Sequence, residues 1–115
     1  SKITYVRKLA PGEVDLVAFK AQLDKPAADV IVLDVRNASE AKEGALPISI
    51  NVPLEELEQR LSELPKDKTV LIHCGTGARA EMAYNVLNKA GFKVKYLKAR
   101  VDFDKEHKGK YTIED

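Results

Sequence analysis

Two short apolar runs constrain this chain more than anything else in it. DVIVLDV (residues 29–35) and KTVLIHC (68–74) are rich in β-branched residues and almost continuously apolar. Strands that read this way are covered on both faces, as in a parallel sheet. Two further runs alternate instead. ISINVP (48–53) places Ile48, Ile50 and Val52 on one side, and FKVKYL (92–97) places Phe92, Val94 and Tyr96 opposite Lys93 and Lys95.

Helical spacing fills the gaps between the strands. Leu16, Phe19 and Leu23 share one face of EVDLVAFKAQL (13–23). Leu54, Leu57, Leu61 and Leu64 make a stripe along LEELEQRLSEL (54–64), with acidic residues early and Pro65 as the stop. Between Arg79 and Ala90, a third stripe of Met82, Ala83, Val86, Leu87 and Ala90 ends at Gly91, which suits a left-handed C′ position. Pro26 and Pro53 punctuate the other boundaries. This alternation predicts an α/β fold: a mostly parallel central sheet with helices on both faces. With no repeat, low-complexity segment or linker, one domain is expected over residues 1–115.

Composition excludes several functions. Nineteen basic and eighteen acidic side chains leave a net charge of +1, no footprint for nucleic acid or an anionic membrane. KEHKGK (105–110), with His107, reads as a solvated surface turn, and no apolar stretch approaches the ~20 residues of a membrane span. One Cys and two His supply neither an internal disulfide nor a metal-ligand cluster, so no metal is expected. The sequence begins with Ser1, which leaves open a processed or excised origin; a cytoplasmic compartment is the expectation.

The single cysteine stands at a telling place. Cys74 ends an apolar strand, and the next five residues, Gly75 to Arg79, include two glycines and two small side chains before a helix. Parallel α/β sheets bind ligands at the carboxyl ends of their strands. A loop of this kind can gather backbone N–H groups and a helix N-terminus around an anion. The same residues also suit a buried small hydrophobe followed by an ordinary tight turn, so both readings stand.

Four stretches resemble the successive motifs of a rhodanese domain: IVLDVR (31–36), EGALPISINVP (43–53), HCGTGARA (73–80) and KAGFKVKYLKARVDF (89–103). Together they cover roughly residues 10–105. The resemblance implies a sulfurtransferase with Cys74 as the sulfur-carrying nucleophile. Gly75, Thr76, Gly77, Ala78 and Arg79 would cradle the persulfide, with Asp34 and Arg36 at the neighbouring strand end facing the same pocket. Arg79 and Arg36 would hold a small anionic donor such as thiosulfate or mercaptopyruvate. A thiol, cyanide or a sulfur-accepting protein would take the sulfur, with no cofactor.

Sulfurtransferase loops of this fold run Cys-x4-Arg/Thr, whereas the related phosphatases use His-Cys-x5-Arg. Four residues separate Cys74 from Arg79, which weighs against a phosphatase or arsenate reductase despite His73. A non-catalytic sulfur carrier or redox-sensing module is the other alternative. The chain also departs from the family pattern. Gly75 replaces a common Arg, Ile48 stands where Gly-His-Ile-Pro-Gly has its last glycine, and Ala99-Arg100 replaces a Gly-Gly pair. Asp34 and Arg36 could equally form a structural ion pair. His73, Tyr84, Tyr96 and Phe103 are expected to pack.

Overall fold

The computed structural model describes residues 8–104, 106 and 110–114. His107 and most of the 105–110 turn therefore lie outside the described residues. The elements in order are α1 (Leu16–Asp24), β1 (Val30–Asp34), α2 (Ala38–Glu43) and β2 (Ser49–Asn51). A 3-10 segment (Leu54–Glu63), β3 (Thr69–His73), α3 (Ala78–Lys89), β4 (Lys93–Tyr96), β5 (Arg100–Phe103) and β6 (Tyr111–Glu114) follow.

Four strands form one parallel sheet in the order β2-β1-β3-β4, and β5 pairs with β6 as an antiparallel ribbon. From β1 the chain steps to one side to make β2, then crosses to the other side to make β3. The strand order therefore reverses between β1 and β3, and the crevice at their carboxyl ends is where such sheets take ligands. Asp34 and His73 are register partners at that end.

Strand alternation divides the core into two layers. Leu33, Val35, Val70, Ile72 and Cys74 point to the face covered by the 3-10 segment and α3. Val32 and Leu71 point to the opposite face, against Phe19 and Leu23 of α1 and Val101 and Ile113 of the ribbon. Burying the apolar side chains of these layers stabilises the fold by roughly 25 cal/mol per Å² of apolar surface removed from water.

Several expectations hold. Phe19 and Leu23 are buried along α1, Phe92 just before β4 and Tyr96 at its end are buried, and Lys93 and Lys95 are exposed. Gly91 takes φ +89°, as its position past the end of α3 requires.

Others are corrected. Met82 is 57% exposed, and the buried stripe of α3 runs through Ala80, Ala83 and Leu87 instead. Met82 stands about 200° round the helix from Ala80, at 100° per residue, which turns it to solvent. Ile48 and Ile50 are each 44% exposed, while Val52 is fully buried. β2 is an edge strand bonded only to β1, and Ile48 lies outside it with φ +61°.

Residues 54–63 form 3-10 turns rather than an α-helix, broken at Arg60 by φ −116°, ψ 18°. In a 3-10 turn, residues three apart eclipse. Leu54 and Leu57 align before the break; after it Leu61 follows, and Leu64 is the extended cap whose N–H donates to Leu61 O.

Candidate active site

The residue after β3 is Cys74, and its neighbour on the strand faces the other way. His73 points toward Phe19 of α1, with ring centroids 6.3 Å apart, while Cys74 points under α3. Cys74 is 1% exposed. Its Sγ accepts hydrogen bonds from Gly77 N at 3.0 Å and Ala80 N at 3.4 Å.

Gly77 is the N-cap of α3 and offers no capping side chain. The N–H of Ala80, three residues on, would ordinarily go to a Ser or Asp oxygen at the cap. Here the cysteine sulfur takes that role. A neutral thiol is a weak acceptor. Two N–H donors and the positive helix end are better matched to an anionic sulfur.

The loop keeps this shape by glycine geometry and by ties to its surroundings. Gly77 has φ +104°, and a Cβ there would stand 3.1 Å from the Cα of Lys98. Gly75 O accepts from Val101 N at 2.9 Å, which fastens the loop to β5. Thr76 is exposed on the loop rim and Ala78 is exposed at the start of α3.

Arg79 lies over the loop, with Nη2 3.4 Å from the place a Gly75 Cβ would occupy. Its guanidinium is paired. Nη1 donates to Glu40 Oε1 at 2.6 Å and Nη2 to Glu40 Oε2 at 3.1 Å. These bonds hold the Glu40 carboxyl below the usual carboxylate range and raise Arg79 further above its ordinary value. With about a third of each side chain exposed, the pair adds at most about 1 kcal/mol to stability. Its larger effect is positional: it ties α2 to the loop.

Asp34 and Arg36 follow β1. The Arg36 guanidinium donates to Asp34 Oδ1 and Oδ2 at 2.7–3.2 Å and to Gly44 O at 2.6 Å. Its Cζ lies 4.5 Å above the centre of the Phe103 ring. Asn51 Nδ2 donates to the carbonyl oxygens of both Asp34 and Arg36, at 3.0 and 2.9 Å, pinning the turn. Asp34 is fully buried and Arg36 is 4% exposed. Removing either partner would leave an unpaired buried charge, costing about 3–5 kcal/mol.

Arg36 and Glu40 line a cleft of about 170 Å³ with Gly44 and Val101–Asp104; Cys74 does not reach it. Thus one predicted loop residue, Gly77, bonds the sulfur through its N–H, as does Ala80 just beyond the predicted set, whereas the Asp34–Arg36 pair braces the segment that carries Glu40. Arg100 is exposed and pairs with Asp102 at 3.0 Å.

Sequence reasoning missed Glu40 and Asn51. Glu40 carried a local signal: Asn37 and Glu40 form a capping box at the start of α2. Its bond to Arg79, 39 positions away, had none. His73, expected to pack, is fully buried; burial lowers its pKa to about 4, with Arg36 adding to the effect and Asp34 opposing it.

Comparison with known proteins settles the family. The rhodanese-like domain model matches residues 15–99. The chain belongs to the rhodanese-like domain family. It is 37% identical to the putative sulfur carrier protein YrkF of Bacillus subtilis over 81 residues, covering 70% of this chain and 43% of that one. It is 36% identical over 81 residues to a sulfurtransferase of Allochromatium vinosum, covering 70% of this chain and 75% of that protein. This rhodanese-like chain thus spans less than half the length of YrkF. A crystal structure of a rhodanese-related protein from Thermoplasma volcanium superposes with a TM-score of 0.67 at 26% identity, covering 75% of this chain and 82% of that one. The predicted α/β class, with a parallel sheet between helices, is the rhodanese fold.

Proposed function

We propose that this rhodanese-like domain is a sulfurtransferase that carries sulfane sulfur on Cys74. The observation that carries the reading is the pair of N–H bonds from Gly77 and Ala80 to Sγ at the N-terminus of α3. A cysteine that merely filled the core would need neither. The named relatives, a sulfurtransferase and a sulfur carrier, support sulfur transfer as the class of chemistry.

The reaction is nucleophilic and ping-pong in form. The Cys74 thiolate attacks the outer sulfur of a donor such as thiosulfate. The donor's S–S bond breaks, sulfite leaves with that bond's electron pair, and a Cys74 persulfide anion remains. Cyanide or a thiolate then attacks the outer sulfur, which departs as thiocyanate or a new persulfide, and the Cys74 thiolate returns. Mercaptopyruvate would deliver its thiol sulfur to the same atom: its C–S bond breaks, the electron pair leaves on the enolate of pyruvate, and the thiol proton converts that enolate to pyruvate. The N–H groups of Gly77 and Ala80 hold the charge on the sulfur, and Arg79 supplies the nearest guanidinium. Asp34 and Arg36 act at a distance, by bracing the segment that places Glu40.

A sulfur-carrier module that turns over slowly is the second reading, favoured by the 1% exposure of Cys74. Thiocyanate release in the presence of a sulfane donor and cyanide separates the two. Multiple turnovers that vanish in Cys74→Ser support the enzyme. A single stoichiometric release, without further cycles, supports the carrier.

A further inference from the structure

Arg79 is the guanidinium nearest the Cys74 loop, yet no incoming anion meets it free. Both Nη atoms already donate to Glu40. Glu40 is itself anchored. Its Oε1 also accepts from Asn37 N at 3.2 Å, and its own N–H donates to Asn37 Oδ1 at 2.9 Å, closing the capping box of α2. The turn that carries it is braced in turn by Arg36, bonded to Asp34 and to Gly44 O at the far end of α2. These contacts place the Glu40 carboxylate beside the Arg79 guanidinium from both sides. An anion approaching the loop therefore meets a guanidinium–carboxylate pair with no net charge rather than a free cation.

We propose that Glu40 is the positioning residue that sets the charge of donor this site accepts. It discriminates against dianionic sulfane donors and favours donors that bring their sulfur with one negative charge or none. This inference rests on sulfur transfer through Cys74 and specifies the donor class for it. Removing the Glu40 charge leaves Arg79 free to attract anions, and the gain grows with the charge of the donor.

Thiosulfate and benzenethiosulfonate make a matched pair of probes. In each, the same sulfane S–S bond breaks; sulfite leaves from the dianion and benzenesulfinate from the monoanion. Glu40→Gln is the variant of choice, because glutamine also serves at the third position of a capping box and can still accept from Arg79. Lys98, exposed on the loop rim, is unchanged in both proteins and cancels from the comparison.

At low ionic strength, Glu40→Gln should raise kcat/KM for thiosulfate about tenfold and for benzenethiosulfonate only about threefold. Added salt should shrink the gap between the two donors. Equal changes for both donors, or equal losses, would make Glu40 structural only and overturn the proposal. Intact mass separates this from failure of the underlying reading. If Cys74 gains no sulfur from either donor in either protein, sulfur transfer itself is refuted. If it gains sulfur while the donor ratio stays fixed, the selectivity role alone falls.

Discussion

His73 Nε2 stands 4.0 Å from Asp34 Oδ2, both side chains are fully buried, and neither ring nitrogen has a hydrogen-bond partner among the described residues. Burial keeps the imidazole neutral and lowers its pKa from 6.5 to about 4. Below pH 6.5 the unfolded chain therefore takes up the proton first. The contribution of neutral His73 is intact above that pH and is lost as the pH falls toward about 4. Such a shift corresponds to roughly 3 kcal/mol across the window. Denaturant unfolding at a series of pH values should show this slope, and His73→Leu should flatten it. The variant should be no less stable at neutral pH, since it removes two unpaired buried polar atoms. An unchanged slope in His73→Leu would place the proton elsewhere. Glu40, lowered by its bonds to Arg79, also loses stability on acidification, and that contribution remains in both proteins.

Ile48 adopts φ +61°, a left-handed conformation that a β-branched side chain strongly disfavours. The strain is about 1–2 kcal/mol, and glycine removes it at an entropic cost of roughly 0.5–1 kcal/mol. Ile48 is 44% exposed, so more than half of its surface is buried and any truncation loses those contacts. Ile48→Ala and Ile48→Gly lose nearly the same contacts, but only glycine relieves the strain, so Ile48→Gly should be the more stable of the two by about 0.5–1 kcal/mol. Thermal or denaturant unfolding of the two variants reads this directly, and a glycine variant no more stable than the alanine variant would show that the conformation is not strained.

Gly77 combines φ +104° with a Cβ position 3.1 Å from Lys98 Cα. Gly77→Ala should destabilise the protein by about 1–2 kcal/mol. It should also slow sulfur loading per folded molecule, because the displaced N–H is one of the two that face Sγ. Loading at the wild-type rate would show that this hydrogen bond does not contribute to the chemistry.

Legibility in the sequence followed the strength of the apolar pattern. β1 and β3 were plain because burial on both faces left almost no polar residue in them. α3 was plain in extent, but Met82 was misplaced onto its buried stripe, where a large apolar side chain outscored the small Ala80 that packs. α2 was missed because it buries no side chain, so helical periodicity had nothing to register. The β5–β6 ribbon was missed because each strand has four residues, two of them turned inward. The glycine loop and its cysteine were legible because close approach of backbone to sulfur demands those residue types. The Glu40–Arg79 pair was not: it depends on the path of the chain between them, and charge spacing along a sequence does not encode that.

Cys74 is the sole cysteine, so any sulfur added to a thiol must be on it. Intact-mass spectrometry of wild type and Cys74→Ser, after separate incubation with thiosulfate and mercaptopyruvate, tests sulfur transfer through this residue most directly. Wild type should gain the mass of one sulfur atom from at least one donor and lose it again on adding cyanide, while Cys74→Ser gains nothing. A wild-type protein that takes up no sulfur from either donor, or a Cys74→Ser protein that takes up as much, would contradict the assignment.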